Sequence, residues 1–262
     1  VPKVDLLLGN FIPLSIRDPK KIIICDFDKT LVDTKYSTTK ELYHSLTRPI
    51  DYFPTVKDSV SLLKNYIAKG FHPFILSASP HFYENAMRDW LYKNSIFTAG
   101  IFLKDYRQVF SILEESLTPK DLKIQGLYKL NHLLDILLMT DIPSELVLMG
   151  DNFESDPIIY LCLSKFLHQE LDPWSFCHFL QKHDSFRMNE KQMTQVLNKL
   201  YKLSGDIKRH SSVQVKIYIR KKVDEDKLDI PKELEHKVPL VKLYKALPSP
   251  KAIAENKKLH QE

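Results

Sequence analysis

The sequence predicts an α/β fold in which a parallel sheet is flanked by helices. Short apolar runs alternate with amphipathic segments, a pattern typical of strands joined by crossover helices. Ile22–Cys25 is apolar throughout, which suits a strand buried on both faces of a parallel sheet. Phe71–Leu76 and Glu145–Met149 are two further runs of the buried type. Polar residues follow all three runs, so polar groups should meet at one edge of the sheet.

The composition is that of an ordinary globular protein. The chain has 262 residues, 44% of them hydrophobic, which is enough for a sizeable core. The net charge of +5 is compatible with an anionic substrate or membrane surface, and it is too small to make nucleic acid an expected partner. No apolar run reaches the ~18 residues of a spanning helix.

The cysteines and the first residue bear on location. The three cysteines have neither disulfide nor metal-binding spacing, and reduced thiols favour the cytoplasm. The chain begins at Val1 rather than Met, so removal of a leader is also compatible with the sequence.

The segments around the first two strands have recognisable boundaries. Residues 1–20 are expected to form a lead-in, and 21–26 the first strand. A short helix is predicted over Thr38–Leu46, with a threonine cap. A stronger helix over Thr55–Ala68 has apolar residues at helical spacing, and Gly70 ends it.

The later segments continue the alternation of helices and strands. The pattern predicts helices over His81–Asn94, Gly126–Met139 and about Ile158–Leu167, a short strand over Ala99–Tyr106, and atypical helical structure over 168–205. Val213–Arg220 alternates apolar and polar residues, as expected for the last strand of the sheet. The basic residues near the end offer too little apolar surface to order tightly.

Asp26 and Asp28 directly follow the first strand. One carboxylate of such a pair can attack as a nucleophile, and the other can shuttle a proton or help to hold a hard cation. Aspartate also favours turns, so this motif alone fits a plain polar turn almost as well. Ser77 ends the second strand, and Asp151 and Asp156 follow the third. Three polar strand ends in this order favour one shared site.

Together these motifs resemble the four-motif signature of the haloacid dehalogenase (HAD) superfamily of phosphatases. The signature comprises Asp26-Phe27-Asp28-Lys29-Thr30, Ser77, Lys129, and Gly150-Asp151 with Asp156. More narrowly, Ser77-Ala78-Ser79-Pro80, the run from Gly150 to Tyr160, and Ile217–Arg220 are similar to the App1-like branch of phosphatidate phosphatases. The resemblance covers roughly residues 20–160, resumes at 213–220, and implies a Rossmann-like sheet.

The resemblance implies a covalent mechanism. Asp26 would attack phosphorus and form an aspartyl-phosphate, and Asp28 would act as the general acid and base. Ser77 would hydrogen-bond a phosphoryl oxygen, with Ser79 as the alternative. Lys129 would place a positive charge against the phosphate and Asp26. Lys123 competes for this role.

The resemblance also implies a Mg²⁺ cofactor and further substrate contacts. Asp26, the backbone carbonyl of Asp28, and Asp151 would hold the metal, and Asp156 would support them from the second layer. The remaining substrate contacts would come from Thr30 and Ala78, beside Ser77 and Lys129. Asp33 is expected at the surface.

Two departures from the App1-like pattern leave the substrate open. Lys29 stands where the branch usually has an acidic residue, and 165–210 has no counterpart and looks like an insertion. The expected organisation is therefore a lead-in (1–20), a HAD-like catalytic core (21–164), a helical insertion (165–212) with an unknown protein partner, the last strand and an extension (213–237), and a loosely ordered basic tail (238–262).

The gaps between the motifs leave room for at most a small cap over the site. An open site suits a bulky phosphomonoester such as phosphatidate, and the basic tail could contact a membrane surface. The leading hypothesis is thus a Mg²⁺-dependent phosphatase, with phosphatidate as its family-based substrate. The alternatives are a phosphatase of a soluble phosphometabolite or phosphoprotein, and a non-catalytic binding protein of the same fold.

Overall fold

The fold was analysed in a computed structural model. The structure describes residues 21–34, 50, 53–104, 125–152, 155–183, 186, 188–209, 212–221, 228 and 230–245. The predicted lead-in (1–20), the predicted helix over Thr38–Leu46, Lys123 and most of the basic tail lie outside these residues. So does 105–124, within the segment where a small cap has room.

Six strands form one sheet in which every neighbouring pair is parallel. The strands are β1 (Lys21–Asp26), β2 (His72–Pro80), β3 (Gly100–Lys104), β4 (Glu145–Asp151), β5 (Gln214–Arg220) and β6 (Val241–Tyr244), and their order in the sheet is β3-β2-β1-β4-β5-β6. This architecture confirms the predicted α/β class. Because all strands run in one direction, their carboxyl ends lie along the same edge.

The described helices cover both faces of the sheet. They are α1 (Lys57–Ala68), α2 (Glu84–Lys93), α3 (Gln125–Thr140), α4 (Asp156–Leu167), α5 (Pro173–Gln181) and α6 (Glu190–Ile207), with 3-10 turns at His81–Tyr83 and Lys232–Leu240. Within the described part of the chain, no helix combines the length and the apolar character needed to cross a membrane.

Alternate residues of β1 face opposite layers of the core. Ile22 and Ile24 pack with the apolar residues of α3, α4, α5 and α6. Ile23 and Cys25 pack with those of α1 and α2. This two-sided burial is why β1 is apolar throughout, as the sequence predicts. Successive residues of β1 therefore point toward different layers of helices.

The strand β2 is longer than its apolar run. It continues to Pro80, where the sequence analysis expects a polar turn after Leu76. Ser77 still pairs with Leu103 of β3, and the next paired residue is Pro80, so the register shifts between them. A local bulge of this kind lets polar residues continue a strand while changing the side-chain direction.

Two helices that lead into the site begin earlier than predicted. The helix α3 begins at Gln125, which places Lys129 in its second turn rather than at its start. The helix α4 begins at Asp156, not at about Ile158. Pro157 lies in its first turn, where a missing N–H group costs no intrahelical hydrogen bond.

The helical segment after α4 belongs to the main core. The proposed boundary at 164/165 falls inside α4, and Phe176, Leu180 and Leu200 are buried in the same cluster as Ile22 and Ile24. Phe186, between α5 and α6, is fully buried. A Cβ atom at Gly126 would lie 2.7 Å from its ring, so this segment packs closely on the start of α3.

The sequence analysis expects β5 to be the last strand of the sheet and residues 238–262 to be loosely ordered. Both expectations are wrong for residues 241–244. These residues form β6, an edge strand in parallel register with Ile217–Arg220. Val241 is buried against the core, and the Lys242 ammonium lies 5.6 Å from the centre of the Tyr218 ring. Pairing and these contacts order four residues whose own apolar content predicts no strand.

His132 in α3 provides a pH-dependent contribution to stability. Its ring contacts Phe102 and Tyr128, with centroid distances of 5.4 Å and 4.5 Å. Burial lowers the pKa of His132 from 6.5 to about 4, the Asp135 carboxylate opposes this shift, and the Lys199 ammonium adds to it. The unfolded chain therefore binds more protons than the folded chain between these values, and stability should fall as the pH falls from 6.5 to 4.

Replacing His132 with Gln should flatten this part of the stability profile. The wild-type loss attributable to His132 is about 3 kcal/mol across the window, from the size of the pKa shift. Urea unfolding at a series of pH values measures the difference. The control is His178→Gln, on an exposed position of α5. An identical pH dependence in wild type and His132→Gln would contradict the prediction.

Candidate active site

Three buried carboxylates meet at the carboxyl edge of the sheet. Asp26 ends β1, Asp151 ends β4, and Asp156 opens α4. They offer oxygen atoms that all lie within 4.8 Å of one another. The parallel pairing of β1 with β4 brings the first two together, and Asp156 joins them from the first turn of α4. The sequence analysis names all three.

Lys129 is the cation of this cluster. Its Nζ lies 3.0 Å from Asp26 Oδ1 and donates a hydrogen bond of 2.7 Å to Asp156 Oδ1. The Lys129 side chain is only 1% exposed. A buried lysine is stable only when carboxylates compensate its desolvation, and the carboxylates need the lysine for the same reason. Lys129, a predicted site residue, thus contacts two of the three carboxylates.

Asp156 links the lysine to the backbone of β4. While its Oδ1 accepts from Lys129, its Oδ2 accepts from the Asp151 N–H at 3.3 Å. This approach requires glycine at position 150, because a Cβ atom there would lie 2.3 Å from Asp156 Oδ2. Both Asp156 oxygens thus face protein donors, which suits a supporting role.

Thr30 supports Asp26 from the other side. Its hydroxyl donates to Asp26 Oδ2 at 3.1 Å, and the residue is fully buried. The two oxygens of Asp26 are therefore held by different partners, Lys129 and Thr30. Thr30, which the sequence analysis expects to contact substrate, thus orients the Asp26 carboxylate in this structure.

Asp28 has a separate environment made of serine hydroxyls. Ser77 Oγ donates to Asp28 Oδ2 at 2.6 Å, and Ser79 Oγ donates to the same oxygen at 2.8 Å. The Ser79 N–H in turn donates to Ser77 Oγ at 3.0 Å. Ala78, predicted as a substrate contact, lies half-buried between the two serines at the bulge of β2.

Arg220, at the end of β5, is a site residue that sequence reasoning did not single out. Its Nη1 donates to the Lys29 carbonyl at 2.5 Å, and its Nη2 pairs with Asp33 Oδ1 at 2.8 Å. Its own carbonyl accepts from the Asn152 N–H at 2.9 Å. Asp33, expected at the surface, is thus an ion-pair partner of a buried arginine. A cation at the carboxyl end of a strand, where the site of a parallel sheet lies, is the signal that could have found it.

This arginine holds a strained loop. Lys29 has a φ angle of +58°, in the left-handed region that residues with a side chain rarely adopt. The conformation turns the chain between Asp28 and Thr30. Hydrogen bonds from Arg220 to the Lys29 carbonyl and from the Lys29 N–H to Thr34 Oγ1 hold it in place.

Neighbouring weak acids stay protonated beside the carboxylates. Burial and the adjacent Asp26 charge raise the pKa of Cys25, whose thiol donates to the Asp26 carbonyl at 3.1 Å. Burial and the charge of Asp156 raise the pKa of Tyr160, which donates to the Met149 carbonyl. Neither group is set up to exchange protons near neutral pH.

The donor set fits a hard divalent cation. Carboxylate oxygens are ligands that Mg²⁺ prefers, and three carboxylates against one lysine leave a net negative site. The residues present thus fit such an ion.

The fold and the site define an α/β protein whose charged groups converge beyond the carboxyl ends of parallel strands, where enzymes of this architecture carry out their chemistry. The family model of the phosphatidate phosphatase APP1 catalytic domain matches residues 21–171. The match covers more than half of the chain, which therefore belongs to this family. Membership implies a phosphatase, hence a hydrolase, acting on a phospholipid or another phosphate ester. No curated protein and no solved structure gave a significant match.

The matched residues contain most of the site. They run from the first residue of β1 to just beyond α4 and include the carboxylate cluster, Lys129 and both serines. Arg220 lies outside the match, on β5. The hydrogen bond from Arg220 to the Lys29 carbonyl therefore connects β5, outside the match, with the matched loop after β1.

Replacing Lys129 with Met should destabilise the protein by about 3–5 kcal/mol at pH 8 in the absence of divalent metal. The substitution leaves Asp26 and Asp156 buried without their cation. The loss should shrink at pH 5, because protonation neutralises the uncompensated carboxylates. Urea unfolding in EDTA, followed by the fluorescence of buried Trp90, measures both values.

Lys199→Met is the matched control for this change. Lys199 pairs with Asp135 at 2.8 Å on the half-exposed side of α3, so its loss should cost less than about 1 kcal/mol. Equal losses for the two variants, or a Lys129→Met loss that does not change with pH, would contradict the electrostatic account of the cluster.

Gly150→Ala should displace the Asp156 carboxylate and, through it, Lys129. We expect a stability loss of about 1–3 kcal/mol from the overpacked contact. We expect a roughly 10²-fold loss of phosphatase activity from the misplaced charges. Gly205→Ala, in α6, is the control, because nothing lies within 4 Å of a Cβ atom there. That variant should keep full activity and gain up to about 1 kcal/mol from helix propensity.

Proposed function

We propose that this protein is a Mg²⁺-dependent phosphatase of the HAD superfamily that hydrolyses a phosphate monoester through an aspartyl-phosphate on Asp26. The proposed substrate is phosphatidate. The observation that carries the proposal is the buried contact of Lys129 with both Asp26 and Asp156 at the strand edge, within residues matched by the phosphatidate phosphatase family. A carboxylate fixed beside a permanent cation can remain ionised and attack an anionic phosphate.

In the first step, the Asp26 carboxylate would form a bond to phosphorus as the bond to the alcohol oxygen breaks. Asp28 would give its proton to the departing alkoxide. Thr30 and Lys129 would keep the Asp26 carboxylate in position, since each contacts one of its oxygens. Lys129 would also balance negative charge that builds up on the phosphoryl group.

In the second step, a water oxygen would bond to phosphorus as the bond to Asp26 breaks. Asp28 would take the proton of this water and thus recover the proton it gave up in the first step. Inorganic phosphate would leave. Dividing the hydrolysis in this way replaces one difficult displacement by two easier ones.

The metal would be held by the Asp26 and Asp151 carboxylates and the Asp28 backbone carbonyl. Asp156 would support them from the second layer, since both its oxygens accept hydrogen bonds from the protein. When bound, Mg²⁺ would reduce the repulsion between an anionic nucleophile and an anionic phosphate. Its affinity for the protein can be measured by calorimetry without any turnover, and Asp151→Asn should weaken it.

The proposal is tested by phosphate release from nitrophenyl phosphate and from phosphatidate in detergent micelles, each with Mg²⁺ and with EDTA. Release should require the metal, and Asp26→Asn should abolish it. Mass spectrometry of acid-quenched protein should find a phosphoryl group on Asp26. Asp58→Asn, an exposed aspartate of α1, serves as the control and should retain wild-type activity.

Each part of the proposal has its own contradicting result. Release that persists in Asp26→Asn would overturn the covalent mechanism. Release unaffected by EDTA would overturn the metal requirement. Hydrolysis of nitrophenyl phosphate without any release from phosphatidate would overturn the lipid substrate and favour a soluble ester.

A further inference from the structure

Ser77 and Ser79 both direct their hydroxyls toward the loop after β1, where they reach the same carboxylate. Both hydroxyls donate to one oxygen of Asp28, at 2.6 Å and 2.8 Å. The register shift between Ser77 and Pro80 opens β2 just where the second serine emerges. The bulge thus places two hydroxyls, rather than one, on this carboxylate.

The two serines share this acceptor but differ in burial and in their other hydrogen bonds. Ser77 is fully buried, and its oxygen also accepts the Ser79 N–H at 3.0 Å. Ser79 is half-buried and lies two residues farther along β2, toward its carboxyl end. A hydroxyl has one proton, so a serine that turned its O–H toward a phosphoryl oxygen would have to release Asp28. With two serines, one can turn while the other still holds the carboxylate.

We infer that Ser79 is a positioning residue for Asp28, holding its carboxyl group in line for proton transfer while Ser77 is left to contact the phosphoryl group. This inference rests on the proposed role of Asp28 as the general acid. It assigns the two serines to different parts of the reaction. It also links Ser79 to the class of ester that the enzyme can cleave.

The class of ester follows from the chemistry of proton donation. A departing alkoxide is strongly basic and needs a proton as the bond to phosphorus breaks, whereas a dinitrophenolate leaves readily without one. A badly oriented Asp28 should therefore slow the cleavage of alkyl and phenyl esters far more than that of dinitrophenyl phosphate. Phosphatidate, whose leaving group is an alkoxide, belongs to the sensitive class.

The test compares wild type, Ser79→Ala, Ser79→Thr, Ser77→Ala and Asp28→Asn on dinitrophenyl, nitrophenyl and phenyl phosphate and on phosphatidate. Ser79→Ala should lower kcat for phenyl phosphate and phosphatidate roughly tenfold, because a carboxyl group held by one hydrogen bond instead of two is less often in line for proton transfer. It should leave kcat for dinitrophenyl phosphate, and KM for all esters, nearly unchanged. Ser79→Thr keeps a hydroxyl and should restore most of the loss.

The other variants separate the inference from the proposed function. Asp28→Asn should show the same dependence on the leaving group more steeply, by roughly 10²–10⁴-fold on the alkyl ester. Ser77→Ala should slow all esters together, since every substrate carries the phosphoryl group. Thermal unfolding of each variant confirms that it is folded.

Two outcomes would overturn the inference while leaving the proposed function intact. If Ser79→Ala slowed all the esters equally, Ser79 would be a phosphate contact. If it slowed none, Ser79 would have no part in the reaction. A flat response of Asp28→Asn would instead overturn the acid role of Asp28, and with it the premise of the inference.

Discussion

The buried contact of Lys129 with Asp26 and Asp156 is the interaction on which the site depends. Carboxylate oxygens within 4.8 Å of one another repel strongly when water is excluded, and no surface lysine could compensate them from a distance. Lys129 does so because α3 delivers its ammonium directly between them. The four residues of the cluster come from β1, β4, α3 and α4. The site therefore forms only when these four elements pack together.

Backbone contacts around the cluster also hold its residues in place. Gly150 is the residue that lets Asp156 reach both the lysine and the main chain of β4. Arg220 acts on the opposite side, where it fixes the left-handed turn at Lys29 and accepts a hydrogen bond from the loop after β4. The loops after β1 and β4 are thus both hydrogen-bonded to the last residue of β5. The segment after α4 adds to this support, because the Phe186 ring packs against Gly126 at the start of α3.

Sequence reasoning found those features that local pattern encodes. The apolar run of β1, buried on both faces, predicted the fold class, and Asp26 and Asp151 followed as the polar ends of buried strands. The edge strand β6 was missed because it is ordered by pairing with β5 and by contacts that no four-residue pattern contains. Arg220 was missed for a related reason: its partners, at Lys29 and Asp33, are close in space and remote in sequence. The environment of Ser79 depends likewise on a bulge that only the pairing of β2 with β3 reveals.

The two aspartates of the first motif lie close together in sequence but have different chemical environments. Asp26 faces a cation, since the Lys129 ammonium lies 3.0 Å from its Oδ1, and this contact favours the ionised form that would attack phosphorus. Asp28 accepts hydrogen bonds from two neutral hydroxyls, which orient a carboxyl group without adding a charge beside it. A nucleophile has to stay ionised, whereas a general acid has to exchange a proton. In the proposed mechanism, the lysine beside Asp26 and the serines beside Asp28 would meet both needs within three consecutive residues. The strained turn at Lys29 directs the chain onward to Thr30, whose hydroxyl holds the second oxygen of Asp26.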